Sequence, residues 1–182
     1  MGATTTDAGD ASLENLAADV LLRGDRVVLE PLRVDHASEM AVLVDDSQLH
    51  TFIGGTPPTE EELVERYRHQ VSGWSRDRSQ RWLNWVVRRR ADDQAVGTVQ
   101  ATVTSLDGLL VAEVAWVVGT AYQGQGYAKE AASTMVQWLR SRGISRVVAH
   151  IHPDHHASHA VARALGLSRT GTWHDGEERW QG

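Results

Sequence analysis

The chain reads as an α/β (α+β) domain built on a mixed central sheet with flanking helices. Two observations predict this. Three strand-like runs, 81–89, 95–104 and 109–118, fill the middle of the sequence, and strand and helix patterns then alternate. A glycine-bearing loop, Gln123-Gly124-Gln125-Gly126, joins the last of these strands to the longest helical pattern.

The elements follow in order. Residues 1 to about 11 are rich in Gly, Ala, Thr and Asp and are expected to be mobile; 13–22 can form a short amphipathic helix. The expected division is therefore an N-terminal arm over 1–22 and one domain over 23–182. The run 26–32 predicts a first strand, stopped by Pro31. Asp35 can cap a helix carrying Met40, Leu43 and Val44 on one face. Gly54-Gly55-Thr56-Pro57-Pro58 breaks the chain. Thr59 and Glu62 have the spacing of a capping box, ahead of Leu63, Tyr67, Val71 and Trp74 at helical intervals. The turn-prone Ala91-Asp92-Asp93-Gln94 separates the next two strands. After the glycine loop come a helix over 126–142 closed by Gly143, a strand over 146–151 and a helix over 158–165. A hairpin over 169–180 turns at Asp175-Gly176.

Composition narrows the function classes. The 182 residues hold no cysteine, which excludes disulfides, thiolate metal sites and cysteine nucleophiles. No apolar run approaches the ~20 residues that span a bilayer, and the N-terminus has no signal-peptide pattern. A cytoplasmic protein without membrane attachment is expected. The formal net charge of −6 argues against nucleic acid as a partner and favours a cationic amine through long-range attraction.

The stretch from Val111 to Lys129 carries the chemistry. Glu113 stands alone among valines, alanines and a tryptophan. The loop is neither a dinucleotide fingerprint, lacking a third glycine, nor a P-loop, lacking Gly-Lys-Ser/Thr. Glycines ahead of a helix N-terminus can present main-chain N–H groups to an anion. Gln123, Gly126 and Ala128 resemble the Gln/Arg-x-x-Gly-x-Gly/Ala signature of the GNAT superfamily of acyl-CoA-dependent N-acetyltransferases. Downstream, His152-Pro153-Asp154-His155-His156-Ala157-Ser158 and Leu165-Gly166-Leu167 resemble that family's strand, Asn-x-x-Ser, helix and Gly-Phe segment. His155 stands where Asn is usual, Leu167 where Phe is usual, and Ala162 where many members carry a tyrosine general acid. The resemblance covers 95–173 most fully. Val27-Val28-Leu29-Glu30-Pro31-Leu32 followed by Asp35 resembles the branch that acetylates ribosomal-protein N-termini.

The resemblance implies a strongly twisted sheet with acetyl-CoA in a cleft between two splaying strands. Gln123, Gly124, Gln125, Gly126, Tyr127, Ala128 and Lys129 would bind it, with the main-chain N–H groups of Gln125, Gly126, Tyr127 and Ala128 on its pyrophosphate. The main chain of Val117 and Val118 would pair with the pantetheine arm, with an N–H near Val118 facing the thioester oxygen. Glu113 is the expected general base, its carboxyl raised by burial. Ser158 is the expected proton donor to the thiolate, or alternatively a helix N-cap. His155 replaces the usual Asn on the cofactor or supplies the missing acid. His150 and His152 share a strand face and can line an acceptor pocket. No metal is expected, although His155 and His159 have the i, i+4 spacing of a ligand pair.

The activity this implies is acetyl transfer from acetyl-CoA to the primary amine of a small molecule. The alternatives are a peptide or protein α-amine as acceptor, or an acyl-CoA-binding module without turnover. Exposed sheet edges make a homodimer an expectation too.

Overall fold

The computed structural model describes residues 12–182; the arm expected over residues 1 to about 11 lies outside them. Eight strands form one sheet in the order β1-β2-β3-β4-β5-β6-β8-β7. They are β1 (Leu22–Arg23), β2 (Val27–Pro31), β3 (Gln80–Arg89), β4 (Ala95–Leu106), β5 (Leu109–Val118), β6 (Arg146–Ile151), β7 (Ser168–His174) and β8 (Glu177–Gln181). Every neighbouring pair is antiparallel except β5 and β6. The helices are α1 (Ala37–Val44), α2 (His50–Ile53), α3 (Glu60–Gln70), α4 (Tyr127–Ser141) and α5 (His156–Ala164).

Alternation along the strands feeds two cores. Leu83, Trp85 and Val87 of β3, with Val99, Ala101 and Val103 of β4, face one side with Ala131, Ala132, Met135 and Leu139 of α4. Val86 faces the other side, with Met40 of α1 and Leu63 and Tyr67 of α3. Trp138 meets Trp85 edge-on at 5.8 Å between ring centres, locking α4 across the sheet. The capping box at Thr59 and Glu62 forms as expected: Glu62 N–H donates to Thr59 Oγ1 at 3.2 Å, and Thr59 N–H to Glu62 Oε2 at 2.8 Å. The Asp175-Gly176 turn has both residues at positive φ, 47° and 83°, as a tight hairpin turn requires.

Several local expectations are corrected. The segment 13–22 is helical only in a turn over Leu13–Asn15. It then runs extended, buries Leu16, and accepts hydrogen bonds from Arg81 Nε on Leu16 O and from Trp85 Nε1 on Val20 O, both at 2.7 Å. Burial of Leu16 and these two donors outweigh the helical pattern. Asp35 does not cap α1; it pairs with Arg33, and a 3₁₀ turn over Val34–His36 leads into the helix. Val71 and Trp74 lie beyond the end of α3.

Candidate active site

β5 and β6 pair only at Val111–Arg146, Ala112–Val147 and Glu113–Val148, then separate. Beyond that point β6 belongs to β8, and among the described residues no strand pairs with the outer half of β5 on this side. Hydrogen-bond phase shows which main-chain groups face the gap. Val147 exchanges both bonds with Gly182, at 2.9 and 3.1 Å, so its neighbours serve β5, and Ala112 is the residue of β5 they meet. Two-residue alternation then turns Trp116 and Val118 toward the gap. The bond from Gly119 N–H to Val96 O, 2.9 Å, gives the same phase from the β4 side. Val118 thus presents its main chain to the gap, whereas Val117 bonds toward β4 and contributes its half-buried side chain.

The glycine loop closes one end of this gap. Gly124 and Gly126 have φ of 73° and 84°, a left-handed conformation that a β-carbon would strain. A side chain at Gly124 would meet nothing within 4 Å, so its outer face is open. The first helical bond runs from Glu130 N–H to Gly126 O at 3.1 Å. The amides of Tyr127, Ala128 and Lys129 therefore have no acceptor within α4 and carry the positive end of its dipole. Gln123 Nε2 donates to Val118 O at 3.0 Å, tying the loop to the strand end. Arg26, from the β1–β2 turn, donates to Gln125 O at 3.0 Å and pairs with Glu130 at 2.9 Å, holding the loop from behind. The Tyr127 side chain is buried, with the Arg26 guanidinium over its ring.

A cleft of about 820 Å³ occupies the gap. Its walls are the glycine loop with Lys129, the β5 end at Trp116–Val118, α2 at Phe52, and the start of α5 at His155 and Ser158. Ser158 lies inside α5, whose N-cap position is held by His155, so the capping alternative for Ser158 is corrected. Its Oγ accepts from the Trp116 indole at 3.1 Å, which leaves its own O–H to donate elsewhere. His155 stacks on Phe52 with ring centres 4.3 Å apart. Burial first, then the neighbouring histidines His159, His152 and His156, hold it below the ordinary imidazole range and hence neutral near pH 7. His159 points the other way, stacked on Trp180 and buried, with Nε2–H donating to His152 O at 3.1 Å. The i, i+4 pair is therefore not a ligand pair.

A second pocket of about 260 Å³ shares Phe52, Trp116, Val117, His155 and Ser158 with the cleft. Its far side holds Glu113, His150, His152 and Glu177; His150 is on β6, and His152, expected on the same strand face, lies just past the strand's end but lines the same pocket. Glu113 is not buried. Its side chain is 59% exposed and lies 3.2 Å from His150 Nδ1, so the burial on which its role as a raised-pKa base was expected is absent. The reason is its place on β5: it is the last residue paired to β6, where the strands begin to part.

Sequence reasoning missed Arg26 and Glu177; it offered Phe52 with one or two of the tryptophans as walls of an acceptor site, without singling out Trp116 or placing α2. A four-residue helix beside a Gly-Gly-Thr-Pro-Pro break gives almost no periodic signal. The pairing of Arg26 with Glu130 spans 104 positions, and no local pattern reports it.

Comparison with known proteins agrees with this geometry. A family model described as acetyltransferase (GNAT) domain matches residues 26–168. The uncharacterized N-acetyltransferase YnaD of Bacillus subtilis is 32% identical over 60 residues, which is 32% of this chain and 35% of that protein, so the match spans about a third of that curated relative. RimL, a ribosomal L7/L12 alpha-N-protein acetyltransferase solved with coenzyme A, superposes with a TM-score of 0.73 at 15% identity, over 90% of this chain and 97% of that one. The microcin C7 self-immunity acetyltransferase MccE, solved with acetyl-CoA and AMP, gives 0.70 at 17% identity, over 87% and 92%. With the splayed strands, the glycine loop and a model match over most of its length, the chain belongs to the GNAT acetyltransferase family.

Proposed function

We propose that this protein transfers an acetyl group from acetyl-CoA to the primary amine of a small molecule. The observation that carries this reading is the pair of cavities joined through Trp116, Val117 and Ser158. The larger one suits an extended donor: unpaired amides of Tyr127, Ala128 and Lys129 for phosphate, an open β5 edge for an amide-bearing arm. Acetyl-CoA supplies the activated thioester. The Val118 N–H is available to the thioester oxygen, and Ser158 O–H, oriented by Trp116, to the departing sulfur. The smaller cavity, at about 260 Å³, falls just under the range of about 300–1,000 Å³ usual for small-molecule sites, and it suits a compact acceptor. Its carboxylates, Glu113 and Glu177, attract an ammonium group.

A peptide α-amine is the second reading, favoured by the likeness to RimL, which acts on a protein N-terminus. Incubation with acetyl-CoA and panels of small amines and short peptides, read by thiol release and by product mass, decides between them. Acetylated small amines support the proposal. Acetylated peptides alone transfer it to the second reading. Donor binding without thiol release from any acceptor leaves only an acyl-CoA-binding module.

A further inference from the structure

Glu113 stands solvent-exposed at the mouth of the smaller pocket and contacts an imidazole. Who accepts the proton of the incoming amine is then a question of tautomers among the pocket's histidines. A carboxylate accepts hydrogen bonds and does not donate them. The 3.2 Å contact between His150 Nδ1 and Glu113 Oε1 therefore places a proton on Nδ1, and in the neutral ring the lone pair is then on Nε2. His152 has the opposite arrangement. Its Nδ1 accepts the Asp154 N–H at 3.2 Å, so its proton sits on Nε2 and it has no lone pair to offer. His155 is held face-on against Phe52, and burial keeps it from gaining charge. The His150 ring is fixed on a second side by His174 of β7, with ring centres 5.7 Å apart. Its side chain is 19% exposed, screened yet open to the pocket.

From this we infer that His150 is the proton acceptor of the reaction and that Glu113 is its positioning residue, in the manner of the carboxylate that orients a catalytic imidazole. The inference rests on the acetyltransferase reading above. The acceptor enters as an ammonium ion and gives one proton to His150 Nε2. Its nitrogen lone pair then forms the C–N bond as the C–S bond breaks. The second amine proton ends on the departing sulfur, and His150 returns its own to solvent. Glu177, also lining the pocket, is the competing acceptor. An imidazole holds a proton nearer neutrality than an ordinary carboxylate does, so it is the better matched group at pH 7.

The test uses the wild-type protein with its best acceptor amine, alongside His150→Ala, His150→Gln, Glu113→Gln, Glu113→Asp and Glu177→Gln. His150→Ala and His150→Gln are expected to lower kcat about 100-fold or more, with acetyl-CoA affinity by calorimetry within about twofold. Added imidazole is expected to restore activity to His150→Ala in proportion to its concentration. Glu113→Gln is expected to lower kcat about tenfold at unchanged acetyl-CoA affinity, with partial recovery in Glu113→Asp. The inference is overturned if both His150 variants keep near-wild-type kcat, if imidazole does nothing for a folded, donor-binding His150→Ala, or if Glu177→Gln alone abolishes turnover. A wild type that binds acetyl-CoA and acetylates nothing sinks the acetyltransferase reading instead, which is a distinct result.

Discussion

The proposed donor cleft and the proposed acceptor pocket share a wall but are built by different means. The glycine-loop end and the strand edge of the cleft are main chain: the amides at the start of α4 that have no acceptor within it, the left-handed glycines before it and the edge of β5 beyond Glu113. The acceptor pocket is made of side chains from α2, β4, β5, β6, α5 and β8. A main-chain site tolerates many side-chain changes as long as φ and strand pairing are kept. A side-chain site changes its chemistry with one substitution.

This contrast can be broken at either end. The largest expected effect is on the donor side. Gly126→Asp puts a β-carbon at φ 84° and a negative charge where the phosphate is proposed to lie, and should weaken acetyl-CoA binding more than about 100-fold by calorimetry. Retained micromolar binding would show that the loop is not the phosphate site. Next in size, Ser158→Ala should lower kcat about 100-fold while acetyl-CoA affinity stays the same, as removal of a proton donor does. Trp116→Phe, which deletes the indole donor to Ser158 Oγ, should cost about fivefold in kcat for the same reason. If either variant instead loses acetyl-CoA affinity, the wall belongs to the donor site.

A smaller effect is expected from Arg26→Gln. Arg26 reaches the loop through the Gln125 carbonyl, so its loss should raise KM for acetyl-CoA about threefold to tenfold with kcat unchanged. A change in kcat without a change in KM would place Arg26 nearer the chemistry than the structure does.

The smallest effect concerns pH. His36, His155 and His159 are all held below the usual imidazole value of 6.5, burial being the largest cause in each. A depressed imidazole pKa means that the unfolded chain binds more protons than the folded one just below neutrality. The stability these groups contribute is complete above 6.5 and is lost as pH falls through their lower folded values. Thermal denaturation should show a Tm lower by a few degrees at pH 5.5 than at pH 7.5, and no change between 7.5 and 8.5. A Tm that rises on acidification would contradict the sign. His155→Asn should flatten part of that slope without altering donor affinity, if His155 belongs to the shared wall and not to the phosphate site.

Much of the fold was open to sequence reasoning because its signals are local. The Thr59–Glu62 box, the Asp175-Gly176 turn and the strands that became β3, β4, β5 and β6 each announce themselves within a dozen residues. So does the glycine loop, since left-handed φ before a helix calls for glycine wherever it occurs. The sheet order, with β8 between β6 and β7, was not legible. Nor was the extended course of 16–22, whose helical pattern yields to Leu16 burial and to donors from Arg81 and Trp85.

By itself, then, the sequence determined a mixed sheet with flanking helices, the glycine loop at a helix start, and Ser158 and His155 at the start of one helix. Tertiary structure alone decided that β5 and β6 part after Glu113, that this carboxylate lies in solvent against His150, and that Trp116 holds Ser158. The physical reason is range. Backbone conformation and periodicity are written in neighbouring residues, whereas burial, tautomer and proton direction depend on groups that folding brings together from across the chain.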